Sequence, residues 1–438
     1  MRSDRNGRSF FIETYGCQMN LYDSAKMRSL LKHNGWVEVG TAPEADVIII
    51  NSCAVREHAE ARVLGRVAEL KGLKESNVGR KLILAGCLAQ EKGRRLLDQF
   101  PHLDAVIGTE SYDCLLQIME QEEGRQASLL SLCRPDPGRW LLPDFSGRIT
   151  VMVAAMKGCD NFCSYCIVPY VRGRERSRPN QEILEEIRGL AALGVKEVTL
   201  VGQNVNSYRW AGWDFADLLK AAAKVQGLHR VRFITSHPKD LSSKLLEAMA
   251  SDPKICRHLH LPLQSGSDRI LKLMNRGYTV SDYLRKVELA RTMMPDLAIT
   301  SDIIAGFPGE DEDDFQQTLW AMRQAGFDSA YTYMYSPRPG TKACALPGQL
   351  TQEVRLERLQ RLIALEREMA LASNRQELGK EVEVLVEGRG RRRGQYFGRS
   401  RGNKPVAFSS SSPLEPGRLA TVRIEKASSA TLIGSFLR

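Results

Sequence analysis

The chain has 438 residues, 43% of them hydrophobic, and its 62 Lys and Arg exceed its 52 Asp and Glu to give a formal net charge of +10. Roughly 150 residues per domain predicts about three domains, and this hydrophobic share excludes a chain too polar to bury a core. The opening MRSDRNGRSFFIETYG lacks the apolar stretch of a secretory signal, and runs such as Val47 to Ile50 fall far short of the about 20 residues that cross a bilayer. A cytoplasmic protein without a membrane partner is expected.

The first 125 residues alternate short apolar runs (Phe10 to Glu13, Val47 to Ile50, Leu82 to Ala85, Ala105 to Ile107) with stretches of helical spacing such as Ser24 to His33. Apolar strands separated by helices predict a parallel sheet covered on both faces. Residues 125–147, containing CRPDPGRW and LPDFSG, read as a linker rich in turn formers. From residue 148 a βα rhythm resumes, with strands expected at Thr150 to Met156, Glu197 to Val201, Arg230 to Thr235, His258 to Leu261, Ala298 to Ile304 and Ser329 to Tyr335. Six such repeats suit a partial β/α barrel, which places its chemistry at the carboxyl ends of the strands. A long charged helix, Gln352 to Gln376, follows. The remainder alternates short apolar strands with Gly, Pro and Ser and predicts a five-stranded β-barrel. From Arg375 onward 13 Lys and Arg face 6 Asp and Glu, so most of the basic excess sits in this module.

Ten cysteines in a cytoplasmic chain point to metal or redox chemistry rather than disulfides. Cys159, Cys163 and Cys166 have C-x3-C-x2-C spacing directly after the first barrel strand. Thiolates are the soft ligands of iron–sulfur clusters, and three of them on a [4Fe-4S] cube leave one iron open. An open metal position is what separates a catalytic site from a structural one. A zinc site would pair two C-x2-C elements, and this loop has no second element. Cys17, Cys53 and Cys87 each follow an apolar strand. The carboxyl ends of parallel strands share one edge, so these three can hold a second cluster. Cys114, Cys133, Cys256 and Cys344 have no partner at ligand spacing and read as structural or incidental.

The segments TYGCQMNLYDS, NSCAVREHAE, GCLAQ, GCDNFCSYCIVPYVRGRERSR, GQNVNSY, HLPLQSGS, SDIIAGFPGE and YSPRPGT together resemble the methylthiotransferases of the radical S-adenosylmethionine (SAM) superfamily. The resemblance runs through essentially the whole chain, with Ser52 standing where Thr is expected. It implies an α/β multidomain protein: a flavodoxin-like N-terminal domain at 1–124, a linker at 125–147, a partial (β/α)6 radical SAM core at 148–374 and an all-β TRAM RNA-binding barrel at 375–438. It also implies two [4Fe-4S] clusters. The reaction implied adds CH3S at C2 of N6-isopentenyladenosine beside the anticodon of tRNA. Two SAM are consumed, one giving its methyl and the other reductively cleaved to a 5′-deoxyadenosyl radical. An electron donor such as flavodoxin or ferredoxin and a monomeric state are expected. Both open irons are expected to face one cavity. Sibling enzymes acting on threonylcarbamoyl adenosine or on a ribosomal-protein aspartate, and a non-enzymatic iron–sulfur RNA-binding protein, are the alternatives.

By barrel logic Gln203, Asn204, Gln264 and Ser265 line the face that binds SAM or nucleoside, and the resemblance adds Asp302, Gly306 and Pro308, unless the glycines and proline only shape turns. Arg172, Arg174, Arg176 and Arg178 follow the cysteine loop and suit phosphate or carboxylate contact. Arg389, Arg391, Arg392 and Arg393 form a basic turn in the β-module, with Tyr396 and Phe397 beside it as stacking or packing aromatics. His258 and His260 read as structural, and His237 as a strand-end group able to approach substrate.

Overall fold

The computed structural model describes residues 8–54, 57–77, 79–119, 126–129 and 141–438. The chain forms two compact units. The first comprises the residues up to Ser146 with two returns, Lys157–Asp160 and Cys166–Glu175; the second comprises Gly147–Met156, Asn161–Tyr165 and Arg176–Arg438.

The first unit is built on a six-stranded sheet in which Val37–Glu38, Ser9–Thr14, Val47–Ser52, Lys81–Gly86, Ala105–Ile107 and Ala127–Leu129 lie side by side, all parallel. The central strand VIIINS is buried at every residue, as a strand covered on both faces must be. Its side chains alternate between two cores. Ile49 joins Phe10, Ile12, Met27 and Leu31 on one face, and Ile48 and Ile50 join Val63, Val67 and Leu88 on the other. The reading of 125–147 as a linker is corrected at Ala127–Leu129, a strand paired with Ala105–Ile107. Three residues at a sheet edge are too short to show a period. Asp144, from the same stretch, is tied to Lys32 at 2.6 Å.

The second unit contains the six expected barrel strands as two parallel triplets. Thr150–Ala154, Glu197–Val201 and Arg230–Phe233 form one; His258–His260, Ala298–Ala305 and Ser329–Met334 form the other. Several of the intervening helices start at side-chain caps. Asp214 with Asp217, Thr279 with Asp282 and Asp311 with Asp314 are capping boxes, each satisfying donors that the first helical turn leaves unpaired. Helix Gln352–Arg375 is capped by Thr351 and leads into a closed five-stranded barrel in the order Glu381–Arg389, Gln395–Ser400, Pro405–Ser409, Leu432–Phe436 and Leu419–Ala427. Val384, Val386, Tyr396, Phe408 and Val422 fill its interior.

Two arginines two residues apart on strand Arg230–Phe233 clamp this module to the β/α strands. Arg230 donates to Arg399 O at 2.7 Å and to Glu383 Oε1 at 2.8 Å. Arg232 donates to Ser400 O at 2.6 Å, to Arg401 O at 2.8 Å and to Glu197 Oε1 at 2.9 Å. The period-two alternation of a strand puts both on one face.

Candidate functional site

Cys17, Cys53 and Cys87 follow strands Ser9–Thr14, Val47–Ser52 and Lys81–Gly86, three immediate neighbours in the sheet. The structure brings the three together at the carboxyl edge. Cys53 and Cys87 are buried, and Cys17 is half-buried. Two glycines make the approach feasible. A Cβ on Gly16, at φ +143°, would lie 2.5 Å from Cys53 Cβ, and one on Gly86, at φ +97°, would lie 2.4 Å from Ser52 O. Both spots admit only a residue without a side chain.

The thiols sit in a polar frame. Asn20 Oδ1 lies 3.3 Å from Cys17 Sγ, while Asn20 Nδ2 donates to Asn51 Oδ1 and Ser52 O at 3.2 and 3.0 Å. Asn51 Nδ2 returns to Asn20 O and Ser24 Oγ at 2.8 and 2.9 Å. A hydrogen bond from Cys53, with the charge of Arg172 and backbone donors helping against burial, lowers the Cys17 thiol to about 6. Burial pushes the Cys87 thiol up, partly offset by Arg172. Arg172 reaches Cys87 Sγ through Nε at 3.3 Å and Asp23 Oδ2 through Nη2 at 3.0 Å, and Tyr112 donates to the same Asp23 oxygen at 3.3 Å. Among the described residues no three His, Cys, Asp or Glu side chains converge on a point suited to a single metal ion. A cube that offers a separate iron to each thiolate does not require that convergence. Soft donors, an adjacent cation and the buried Arg172 Nη1, without a hydrogen-bond partner among the described residues, fit a sulfide-rich anion in this pocket.

The C-x3-C-x2-C loop is divided between the units. In the first, Cys159 N donates to Gly173 O at 3.2 Å, and Gly158, at φ +77°, passes so close to Arg174 O that a Cβ would sit 2.0 Å away. Cys166 precedes helix Val168–Arg172. In the second, Cys163 Sγ receives Arg276 Nη1 at 3.4 Å, and Asn275 Nδ2 holds Asn161 O and Phe162 O at 3.0 and 3.1 Å. Ser164 Oγ donates to Leu273 O at 2.7 Å. The segment Leu273–Arg276 thus fixes the loop around Cys163.

Buried polar atoms without hydrogen-bond partners among the described residues gather at the barrel's carboxyl ends, among them Asn204 Oδ1, His237 Nε2 and Gln264 Oε1. These three follow three successive strands. Buried polar atoms are normally paired, so this trio fits a polar ligand such as the methionine and nucleoside parts of SAM. Burial, with Arg276, Lys239 and Lys286 nearby, lowers the His237 imidazole to about 2 and keeps it neutral. Asn204 is held by Asp240 at 2.8 Å. Gln264, at φ +72°, links strands through its backbone, donating to Asp302 O and accepting from Ile304 N at 2.8 and 2.9 Å. Half-buried Gln203 stands beside Asn204, and Asp302 Oδ2 lies 3.4 Å from His260 Nε2.

Other expected residues serve the scaffold. Ser265 is fully buried and engaged by Thr318 and Ser267. Gly306 donates to Glu310 Oε1 at 3.0 Å and its Cα abuts Arg355, while Pro308 is buried in the same turn. His258 and His260 both meet Thr300 Oγ1. Of the four arginines after the loop, Arg174 and Arg176 are exposed. Arg172 is enclosed beside Cys87, and Arg178 is bound to Ala154 O and Glu186, so the expectation of RNA contact is corrected for these two. Arg391, Arg392 and Arg393 are exposed on the turn between two module strands. Tyr396 is buried against Phe408, whereas Phe397 is exposed. The expectation that disulfides are absent fails at Cys114, which is disulfide-bonded; Cys133 lies outside the described residues. Asn20, Asp23, Tyr112, Arg276 and Tyr278 escaped the sequence reading, because isolated polar residues in periodic segments carry no spacing signal.

Three family models match the chain: an uncharacterized protein family (UPF0004) at residues 9–108, the Radical SAM superfamily at 153–319 and the TRAM domain at 375–437. The tRNA-2-methylthio-N(6)-dimethylallyladenosine synthase of Caldicellulosiruptor saccharolyticus is 46% identical over 99% of this chain and 94% of its own length. The chain belongs to this synthase family. It is therefore a radical SAM transferase, and its core carries the [4Fe-4S] cluster and SAM that define the superfamily. The synthase of Syntrophus aciditrophicus is 44% identical over 98% of this chain and 95% of its own. Among solved structures, the radical S-adenosylmethionine methyltransferase TsrM from Kitasatospora setae matches with a TM-score of 0.57 and 14% identity, covering 77% of each chain, which is a likeness of fold. Among the described residues no helix is long and apolar enough to cross a membrane.

Proposed function

We propose that this member of the synthase family inserts CH3S at C2 of N6-isopentenyladenosine beside the anticodon in tRNA, consuming two SAM per product. The gathering of Cys17, Cys53 and Cys87 on neighbouring strand ends carries the reading, since a radical SAM enzyme that only abstracts hydrogen needs no second set of thiolates. Cys159, Cys163 and Cys166 would hold the first [4Fe-4S] cluster, which when bound supplies the electron that cleaves SAM. Cys17, Cys53 and Cys87 would hold a second, which when bound presents an open iron for the sulfur to be transferred. The aromatic C2–H has no acidity for a side-chain base to exploit, so the hard chemistry belongs to cofactors and the chain's residues bind and orient. Asn204 Oδ1 and Gln264 Oε1 offer acceptors to SAM at the strand ends, and His237, whose Nδ1 accepts from Lys239 N, offers its Nε2–H as a donor. His237, kept neutral, adds no charge there. Gln203 and Asp302 complete that rim, with Ser265, Gly306 and Pro308 shaping the backbone beneath it. Arg174, Arg176, Arg391, Arg392 and Arg393 give tRNA phosphates their counter-charges.

The limits 1–124, 125–147 (now shortened by the strand at Ala127–Leu129), 148–374 and 375–438 serve as the domain scheme of this reading. A flavodoxin- or ferredoxin-type donor, a monomeric state and a cytoplasmic setting complete it. Nucleoside analysis of tRNA from a strain lacking this chain tests the proposal. Loss of 2-methylthio-N6-isopentenyladenosine with accumulation of N6-isopentenyladenosine is expected; an unchanged nucleoside profile overturns the assignment.

A further inference from the structure

A guanidinium in an apolar core needs a reason. Arg172 is 4% exposed and Asp23 1%, and Arg172 ends helix Val168–Arg172, whose Ile167 and Val171 flank pack with Ala54 and Cys87. Thr109 Oγ1 donates to Val171 O at 2.8 Å and pins the end of that helix. A buried ion pair is weak support for stability, because desolvating two charges consumes most of their attraction. Here both members also keep an unpartnered atom among the described residues, Arg172 Nη1 and Asp23 Oδ1. The pair is therefore not closed on itself. Beyond Asp23, the guanidinium turns to chemistry: its Nε donates to Cys87 Sγ at 3.3 Å.

We infer that Arg172 is a positioning residue of the cluster held by Cys17, Cys53 and Cys87, and that it sets the electron affinity of that cluster through its bond to Cys87 Sγ. The inference rests on the second-cluster reading above. A donor to a ligand sulfur and a fixed positive charge both favour the reduced, more negative cluster, so Arg172 raises its midpoint potential. Asp23 opposes this charge while orienting the fork, with Tyr112 steadying the carboxylate. Arg172 lies six residues after Cys166. The chain leaving the SAM-cluster motif thus supplies a side chain to the other thiol trio, a role that the basic run YVRGRERSR does not suggest.

The test uses the full chain with Cys159, Cys163 and Cys166 changed to Ala, so that one cluster remains, reconstituted anaerobically. Iron and sulfide are counted and the midpoint is read by potentiometric titration with electron paramagnetic resonance. Arg172→Gln is expected to shift the midpoint to more negative potential and Asp23→Asn to more positive potential, both at the parent's iron content. Coincident midpoints, or shifts of the same sign, overturn the inference. A parent without iron overturns the second-cluster reading itself, and the inference with it. Should Arg172→Gln hold no cluster, Asp23→Asn/Arg172→Gln leaves no buried charge and is compared with Asp23→Asn alone. A more negative midpoint in the double variant supports the inference, and an equal one overturns it.

Discussion

Gly16 passes Cys53 so closely that a side-chain carbon added to it would lie 2.5 Å from Cys53 Cβ and 2.7 Å from Asn20 Oδ1. The left-handed backbone and the close pass together bar any larger residue. Gly16→Ala should therefore push Cys53 and Asn20 apart and unload the cluster proposed for this edge. Expected is a drop from about eight to about four irons per chain after reconstitution, with 5′-deoxyadenosine release retained. An exposed glycine control, Gly35→Ala, has open space around its Cα and should keep its iron.

Arg276 plays toward Cys163 the part that Arg172 plays toward Cys87. Its Nη1 donates to Cys163 Sγ at 3.4 Å, its Nη2 to Pro262 O at 2.9 Å, and its Nε to Tyr278 Oη at 3.1 Å. Arg276→Gln should leave iron content near the wild type but move the midpoint of the SAM-binding cluster to more negative potential. Redox titration of that cluster with and without SAM is the measurement.

How much of the fold and site is legible follows from what leaves a pattern. The C-x3-C-x2-C triplet is a local spacing, and the strands before Cys17, Cys53 and Cys87 are apolar runs, so both trios can be read in order along the chain. Glu197–Val201 and Ala105–Ile107 match their expected bounds because both are fully buried strands, EVTLV and AVI, rich in β-branched residues. Arg172 escapes such reading because a buried guanidinium and an exposed one look alike in sequence; its partner Asp23 is 149 positions away. The clamp of Arg230 and Arg232 on the β-module is illegible for the same reason, since most of its acceptors are backbone carbonyls.

His237 links barrel stability to pH. Burial lowers its imidazole to about 2, below the ordinary 6.5, so the folded chain keeps it neutral while the unfolded chain takes up a proton below about 6.5. The contribution is complete above that pH and is lost as pH falls, by about 1.4 kcal/mol per unit from this one group. Urea unfolding at pH 7 and pH 5.5 should show the loss in the wild type and a smaller one in His237→Asn, which preserves an acceptor for Lys239 N. Equal slopes in the two would remove His237 from the account.

The basic turn of the β-module makes a salt-dependent prediction. Changing Arg391, Arg392 and Arg393 to Ala should weaken tRNA binding and flatten the dependence of log affinity on log salt by about one unit for each phosphate left without its arginine. Electrophoretic titrations at several salt concentrations measure both. Unaltered slope would show that the turn faces solvent in the complex.

The central claim is that the chain carries two clusters on two sets of three thiolates, and iron counting addresses it most directly. Anaerobically reconstituted wild-type chain should hold about eight irons, and the variant with Cys17, Cys53 and Cys87 all changed to Ala about four. That variant should still release 5′-deoxyadenosine from SAM while forming no methylthiolated nucleoside. A wild-type content of about four irons, or a variant that loses none, would contradict the account.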